Sequence, residues 1–238
     1  MADTIIVRAS PNCGPRRGVV APDMVVLHYT AMDGAEAACA RLCDPAAEVS
    51  AHYVIAEDGR TWRLVPEILR AWHAGAASWA GERDVNSRSI GIELANPGDA
   101  PFAAPQMTAL EALLDGILAR WRILPERVVG HECVAPGRKA DPGPRFDWRR
   151  LALRGLSVWL DAPRAAAGPA DALAFQVAAR RFGYDAAPSG RWDAPTTAIA
   201  QAFRRRFRPW CDDPACAAAL AHLEAMAARW PGRTPGDA

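Results

Sequence analysis

The chain has 238 residues, half of them hydrophobic and 23% charged, which suits one large domain or a medium one with a small appendage. A formal net charge of +1 gives no global reason to expect nucleic acid or an anionic membrane surface as partner, and no apolar run approaches the roughly 20 residues that span a bilayer. Met1-Ala2-Asp3-Thr4-Ile5-Ile6-Val7-Arg8 carries an acid where a secretory signal carries bases, so the expectation is a cytoplasmic protein, or a periplasmic one if the true start lies upstream.

Residues up to Pro22 are rich in Pro, Gly and Arg and read as an irregular lead-in. Met24-Val25-Val26-Leu27-His28-Tyr29-Thr30 is a continuous aliphatic run, the pattern of a strand buried on both faces, and it delivers His28 at its end. Taken alone, such a His is more often a hydrogen-bonded structural residue. Ala35 to Cys43 is a short helix candidate. Ser50–Ile55 and Thr61–Val65 pair as a hairpin around Glu57-Asp58-Gly59-Arg60. His52 falls mid-strand, packed beneath a site or, as a second choice, acting as a third imidazole ligand. Ala71-Trp72-His73-Ala74-Gly75 places an aromatic, an imidazole and a glycine on a loop. That composition suits the wall of a polar groove, or a Trp that covers the edge of the core.

Ser89-Ile90-Gly91-Ile92-Glu93-Leu94 reads as a buried strand with a carboxylate among aliphatics. A buried, unpaired Glu is costly, so Glu93 has either an Arg partner or a purpose such as general-base work. Pro105 opens the clearest helix, with Met107, Leu110, Leu113, Leu114, Ile117, Leu118 and Trp121 on one face. Val128-Val129-Gly130-His131 follows as a second apolar strand, read as central, that also terminates in His. The loop after it carries Lys139 and Asp141, which two-residue spacing in an extended loop points the same way. Lys139 is the chain's only lysine; every other basic residue is Arg. Phe146 to Leu151 should start a helix that covers the sheet.

Two buried strands that each end in His suggest a convergent metal site. His28, His131 and Asp141 would be three ligands, with the fourth tetrahedral position left for water. Two imidazoles favour zinc over magnesium, and zinc in such a site lowers the pKa of its water towards ~7. Glu93 would take the remaining proton and pass it to a departing amine; Lys139 would stabilise the oxyanion. This is an inventory for hydrolysing an amide. On residues 128–144 alone, chance polar residues on a surface loop remain the alternative.

Asp161-Ala162-Pro163-Arg164-Ala165-Ala166-Ala167-Gly168-Pro169 has the composition of a linker, placed at 161–170. Beyond it only helical patterns appear, around Leu173–Phe182, Pro195–Phe207 and Pro214–Trp230, with Asp193 as an N-cap. They predict a three-helix module over 171–230 after a domain spanning 1–160, with a disordered tail from 231 to 238. Arg204-Arg205-Arg206 reads as a solvated helix face. The six cysteines form no Cys-x-x-Cys pair and are expected as reduced thiols; Cys39 with Cys43, or Cys211 with Cys216, could pair under oxidising conditions.

Five strings in order carry a resemblance: Val26-Leu27-His28-Tyr29-Thr30, Ser50-Ala51-His52-Tyr53-Val54-Ile55, Ala71-Trp72-His73-Ala74-Gly75, Asn86 with Ser89-Ile90-Gly91-Ile92-Glu93, and Gly130-His131 through Lys139-Ala140-Asp141-Pro142-Gly143-Pro144. Over about Pro22 to Leu160 the chain resembles the zinc-dependent N-acetylmuramoyl-L-alanine amidases, a superfamily that includes the peptidoglycan recognition proteins. The resemblance implies an α/β fold, a central mixed β-sheet flanked by helices. It also implies one zinc on His28, His131 and Asp141, with Glu93 and Lys139 catalytic. The substrate would be the amide between N-acetylmuramic acid, or its 1,6-anhydro form, and L-Ala of the stem peptide. Tyr29, His52, Trp72, His73, Asn86 and Arg88 are the matching candidates for substrate contact.

The C-terminal module is similar to three-helix peptidoglycan-binding domains through Phe182-Gly183-Tyr184, Gly190 to Asp193 and Ala202-Phe203-Arg204. The layout therefore resembles the two-domain, broad-specificity type of amidase. Thr30 to Ser50 is short against the single-domain type, which implies an open groove. Asp84 stands where the family pattern has Arg, with Arg83 and Arg88 nearby, so which Arg meets a stem-peptide carboxylate is open. A monomer is expected. The competing class is a non-catalytic recognition module; such members lose a zinc ligand, and this chain keeps all three.

Overall fold

The computed structural model describes residues 5–163 and 167–232. The first four residues, the middle of the linker and the tail from 233 lie outside the described residues, so most of the expected disordered tail falls there. The chain divides into two compact units. The first comprises residues 1–75, 84–131 and 141–158; the second comprises 76–83, 132–140 and 159–238.

In the first unit the lead-in forms two short strands, β1 (Ile6–Val7) and β2 (Cys13–Pro15), where irregular chain was expected. β3 (Met24–Tyr29) is buried along its length up to His28. Helix α1 (Gly34–Leu42) precedes the antiparallel pair β4 (Tyr53–Ile55) and β5 (Thr61–Arg63), the hairpin that the turn residues predict. β6 (Leu69–Ala71) pairs with β2 in a separate two-stranded sheet. A single turn, α2 (Val85–Arg88), leads into β7 (Ser89–Leu94). α3 (Ala104–Trp121), β8 (Val128–Gly130), the turn α4 (His131–Val134) and α5 (Trp148–Leu153) follow. The six-stranded sheet has the order β1-β5-β4-β7-β3-β8, parallel except between β4 and β5. β8 is an edge strand, not a central one; its valines are fully buried all the same.

Alternation in the strands assigns each face a helix. Val54 packs with Ala38, Cys39 and Leu42 of α1. Tyr53 points the other way and donates to Glu67, which also binds Arg120 and Trp121 at the end of α3. Gln106 of α3 donates to the carbonyls of Ile55 and Ala95, which locks that helix across β4 and the end of β7. Met107, Leu110, Leu114, Ile117 and Leu118 are buried, as the helical spacing predicts. No described helix is long and apolar enough to cross a membrane.

The second unit contains α6 (Ala172–Phe182), α7 (Ala194–Phe207) and α8 (Ala217–Arg229). Asp171 and Asp193 cap the first two by accepting from the backbone N–H groups of Ala174 and Thr196. Phe175, Phe203, Phe207, Leu223 and Met226 fill its core. The Arg run of α7 is not a solvated face. Arg206 is 1% exposed, Arg205 pairs with Glu132, and Arg204 donates to the carbonyl of Cys211. All six cysteines are free thiols.

Candidate metal centre

β3 and β7 run parallel in a register that sets His28 beside Glu93, and β8 lies on the other side of β3 with His131 directly after it. His28, His131 and Asp141 are all buried and present one ligand atom each to a common point. His28 Nδ1 lies 3.0 Å from His131 Nδ1 and 2.8 Å from Asp141 Oδ2; His131 Nδ1 lies 3.0 Å from the same oxygen. Gly130 makes this closeness possible, because a Cβ there would sit 2.7 Å from the ring of Pro142, next to Asp141.

Hydrogen bonds behind the ligands decide the proton positions. His131 Nε2 faces the carbonyl of Ala74 at 3.0 Å, and a carbonyl can only accept, so Nε2 carries a proton and, in the neutral ring that binds a metal, Nδ1 keeps a lone pair. For His28 the assignment runs through three residues. Ser89 Oγ must donate to the Val85 carbonyl, 2.6 Å away, and so accepts from His73 Nε2. His73 Nδ1 is then the acceptor for His28 Nε2–H at 3.0 Å, which leaves His28 Nδ1 bare. His73 stays neutral because burial holds its pKa well below the usual imidazole value.

Two imidazole lone pairs and a carboxylate oxygen thus crowd together in the protein interior. Three mutually facing acceptors need a cation at their centre. Donors bound at about 2.0–2.1 Å to a tetrahedral zinc stand roughly 3.3 Å apart, so the observed spacing fits with slight outward relaxation. Two nitrogens and one oxygen are a donor set for zinc and not for a hard cation.

The loop Trp72-His73-Ala74 therefore braces both imidazoles, one through the His73 ring and one through the Ala74 carbonyl. Asn86 holds that loop: its Oδ1 accepts from the N–H groups of His73 and Ala74. Gly91 admits the His73 ring, which a Cβ would meet at 2.5 Å. Neither His73 nor Asn86 is among the three convergent residues; both brace the loop behind the imidazoles. His52 is likewise not a ligand and not a groove residue. Its ring is fully buried, Nδ1 accepts from the Gly91 N–H, Nε2 faces the Leu69 carbonyl, and burial lowers its pKa to about 3. Arg88 is held by Asp23, which Arg127 also binds. Asp84 caps α2 and pairs with Arg70.

Tyr29 and Trp72 are half-buried at the ends of β3 and β6. Glu93 is also half-buried and opens onto a cleft lined by Thr30, Met32, Arg41 and Val49. Arg41 was not among the residues singled out from sequence; a lone Arg on an Ala-rich helix gives no signal. Lys139 is an exposed side chain of the second unit, two residues along the chain from Asp141.

A mixed sheet that gathers two imidazoles and a carboxylate, with a Glu in register alongside, defines a hydrolase-type site able to hold a metal ion. The chain belongs to the N-acetylmuramoyl-L-alanine amidase family, whose model matches residues 18–144. It is 39% identical over 210 residues to the N-acetylmuramoyl-L-alanine amidase AmiD of Escherichia coli K12, covering 78% of this chain and 75% of that one. It is also 41% identical over 103 residues to the 1,6-anhydro-N-acetylmuramyl-L-alanine amidase AmpD of Citrobacter freundii, covering 43% of this chain and 55% of that one. The structure of E. coli AmiD in complex with the substrate anhydro-N-acetylmuramic acid-L-Ala-D-γ-Glu-L-Lys superposes with a TM-score of 0.81 at 36% identity, over 94% of this chain and 93% of that one. That of AmpDh3 from Pseudomonas aeruginosa gives 0.74 at 31%, over 94% and 96%.

Proposed function

We propose that this amidase uses one zinc ion to hydrolyse the amide between N-acetylmuramic acid, or its 1,6-anhydro form, and the L-Ala of the stem peptide, in peptidoglycan turnover or muropeptide recycling. The observation that carries the zinc reading is the convergence of one ligand atom each from His28, His131 and Asp141 on a common point. The likeness to AmiD over most of both chains, including a complex with an anhydromuropeptide, supports the substrate.

His28, His131 and Asp141 would hold the zinc, which when bound would supply Lewis acidity for the carbonyl and for water near neutrality. The chain's own residues do the rest. Glu93, in register with His28, accepts the proton of the attacking water and returns it to the L-Ala nitrogen as the C–N bond breaks. Lys139 carries the fixed positive charge that stabilises the oxyanion formed from the carbonyl. Tyr29 and Trp72 offer partly exposed rings for the sugar or peptide. Arg41, the cation lining the Glu93 cleft, is the candidate partner for a stem-peptide carboxylate.

The test compares metal-free and zinc-reconstituted protein on an anhydromuropeptide, with released stem peptide measured by mass spectrometry. Chelation should abolish release and one equivalent of zinc should restore it. Glu93→Ala should keep its zinc and lose about 10²–10⁴ in kcat. Full turnover without metal would falsify the zinc role; normal turnover by Glu93→Ala would mean that another group is the base.

A further inference from the structure

Nine residues separate the ligands His131 and Asp141, and those nine, 132–140, belong to the same compact unit as the C-terminal helices. Their packing there is specific. Glu132, the residue bonded to His131 in the chain, is fully buried and receives Arg205 Nε of α7 at 2.5 Å. Cys133 beside it is also fully buried and accepts from Arg206 Nη1 at 3.6 Å. The Val134 carbonyl takes the Ser78 N–H at 2.8 Å, which ties in segment 76–83. That segment is fixed in turn: the Ala80 N–H donates to the Gly183 carbonyl at 2.7 Å, and the Trp79 ring packs on Tyr184 with centroids 5.1 Å apart. Gly183 is required, since a Cβ there would lie 2.8 Å from the Trp79 indole.

A carboxylate taken wholly out of water is tolerated only when it is paired and hydrogen-bonded. Arg205 provides that pairing, and α4, the turn that Glu132 sits in, begins with the metal ligand itself. Metal ligands tolerate displacements of only about 0.5 Å before geometry degrades. We propose that Arg205 is a positioning residue for His131: through Glu132 it holds the turn that aims Nδ1. On this account α7 fixes residues 132–140, the stretch of chain between the two ligands. The inference rests on the zinc reading of His28, His131 and Asp141.

The full-length protein is stripped of metal and titrated with zinc against a chromogenic chelator, alongside Arg205→Ala, Arg205→Lys and Asp171→Ala. Arg205→Ala should weaken zinc about 10–100-fold, the range found when groups supporting a ligand are removed, and Arg205→Lys should recover most of the loss. Asp171→Ala removes the cap of α6 without touching residues 132–140; it should lower the melting temperature and leave zinc affinity unchanged. Parental affinity in Arg205→Ala, or an equal loss in Asp171→Ala, overturns the proposal. Should Arg205→Ala not fold, Glu132→Gln gives the same reading: weakened zinc supports the anchor and unchanged zinc overturns it. A parent that binds no zinc removes the metal reading itself, a result distinct from failure of the anchor.

Discussion

Two buried carboxylates of the first unit, Glu67 and Asp141, have opposite surroundings. Glu67 is met only by donors: Arg120 at 2.8 Å, the Tyr53 hydroxyl at 2.7 Å and the Trp121 indole N–H. Asp141 is met by two imidazole nitrogens whose protons are committed elsewhere. Both sites are polar, and both are protected from water. A carboxylate saturated by donors is finished as structure and asks for no ligand. One that faces other acceptors is finished only by a cation, so burial and polarity alone do not separate a functional cluster from a structural one. The direction of the donors does.

The contrast predicts different losses. The largest is on rate: Glu93→Ala, next to the acceptor cluster, should cost the factor given above while zinc affinity and melting temperature stay near the parent. Next comes the brace behind His28. His73→Ala frees the Nε2 side of that ring, so zinc affinity should fall about 10–100-fold in chelator competition. An unchanged affinity would mean that the tautomer is set by something other than His73 and Ser89. Glu67→Gln should act in the reverse sense. It should lose roughly 1–3 kcal/mol in denaturant unfolding through its buried donors, with zinc affinity intact. A loss of zinc there would erase the distinction between the two sites.

The last effect is read on pH. Burial pushes the His52 pKa to about 3, below its ordinary 6.5. Between those values the unfolded chain binds a proton that the folded chain does not, so stability rises with pH. This contribution is complete above about 6.5 and is lost as pH falls towards 3, with a slope approaching ~1.4 kcal/mol per pH unit. His52→Gln should flatten that part of the curve. An unaltered slope would show that His52 is not the group responsible.

The two imidazoles of the cluster were legible because each leaves a local trace. β3 and β8 are short all-aliphatic runs, and a His at the end of such a run stands out. Glu93 stands out for the same reason, a carboxylate among Ile and Leu. α3 declared itself through period. The bracing groups leave no such trace. His73, Asn86 and Ser89 work through backbone carbonyls and through partners brought together by the fold. Arg16 is the extreme case: it sits in a stretch read as irregular, yet its guanidinium donates to the carbonyls of Glu67, Ser87 and Ser89. Arg205 and Arg206 look like surface charge because three consecutive arginines usually are. What buries them is Glu132 and Cys133, more than 70 positions away. Edge or centre for β8 was equally beyond reach, since a strand covered on its faces reads the same in either place.

The most direct test is calorimetric titration of the metal-free protein with zinc, with Asp141→Ala titrated beside it. The account predicts one tight equivalent in the parent and its loss in the variant. Absence of saturable zinc binding in the parent, or an unchanged isotherm without Asp141, would contradict it.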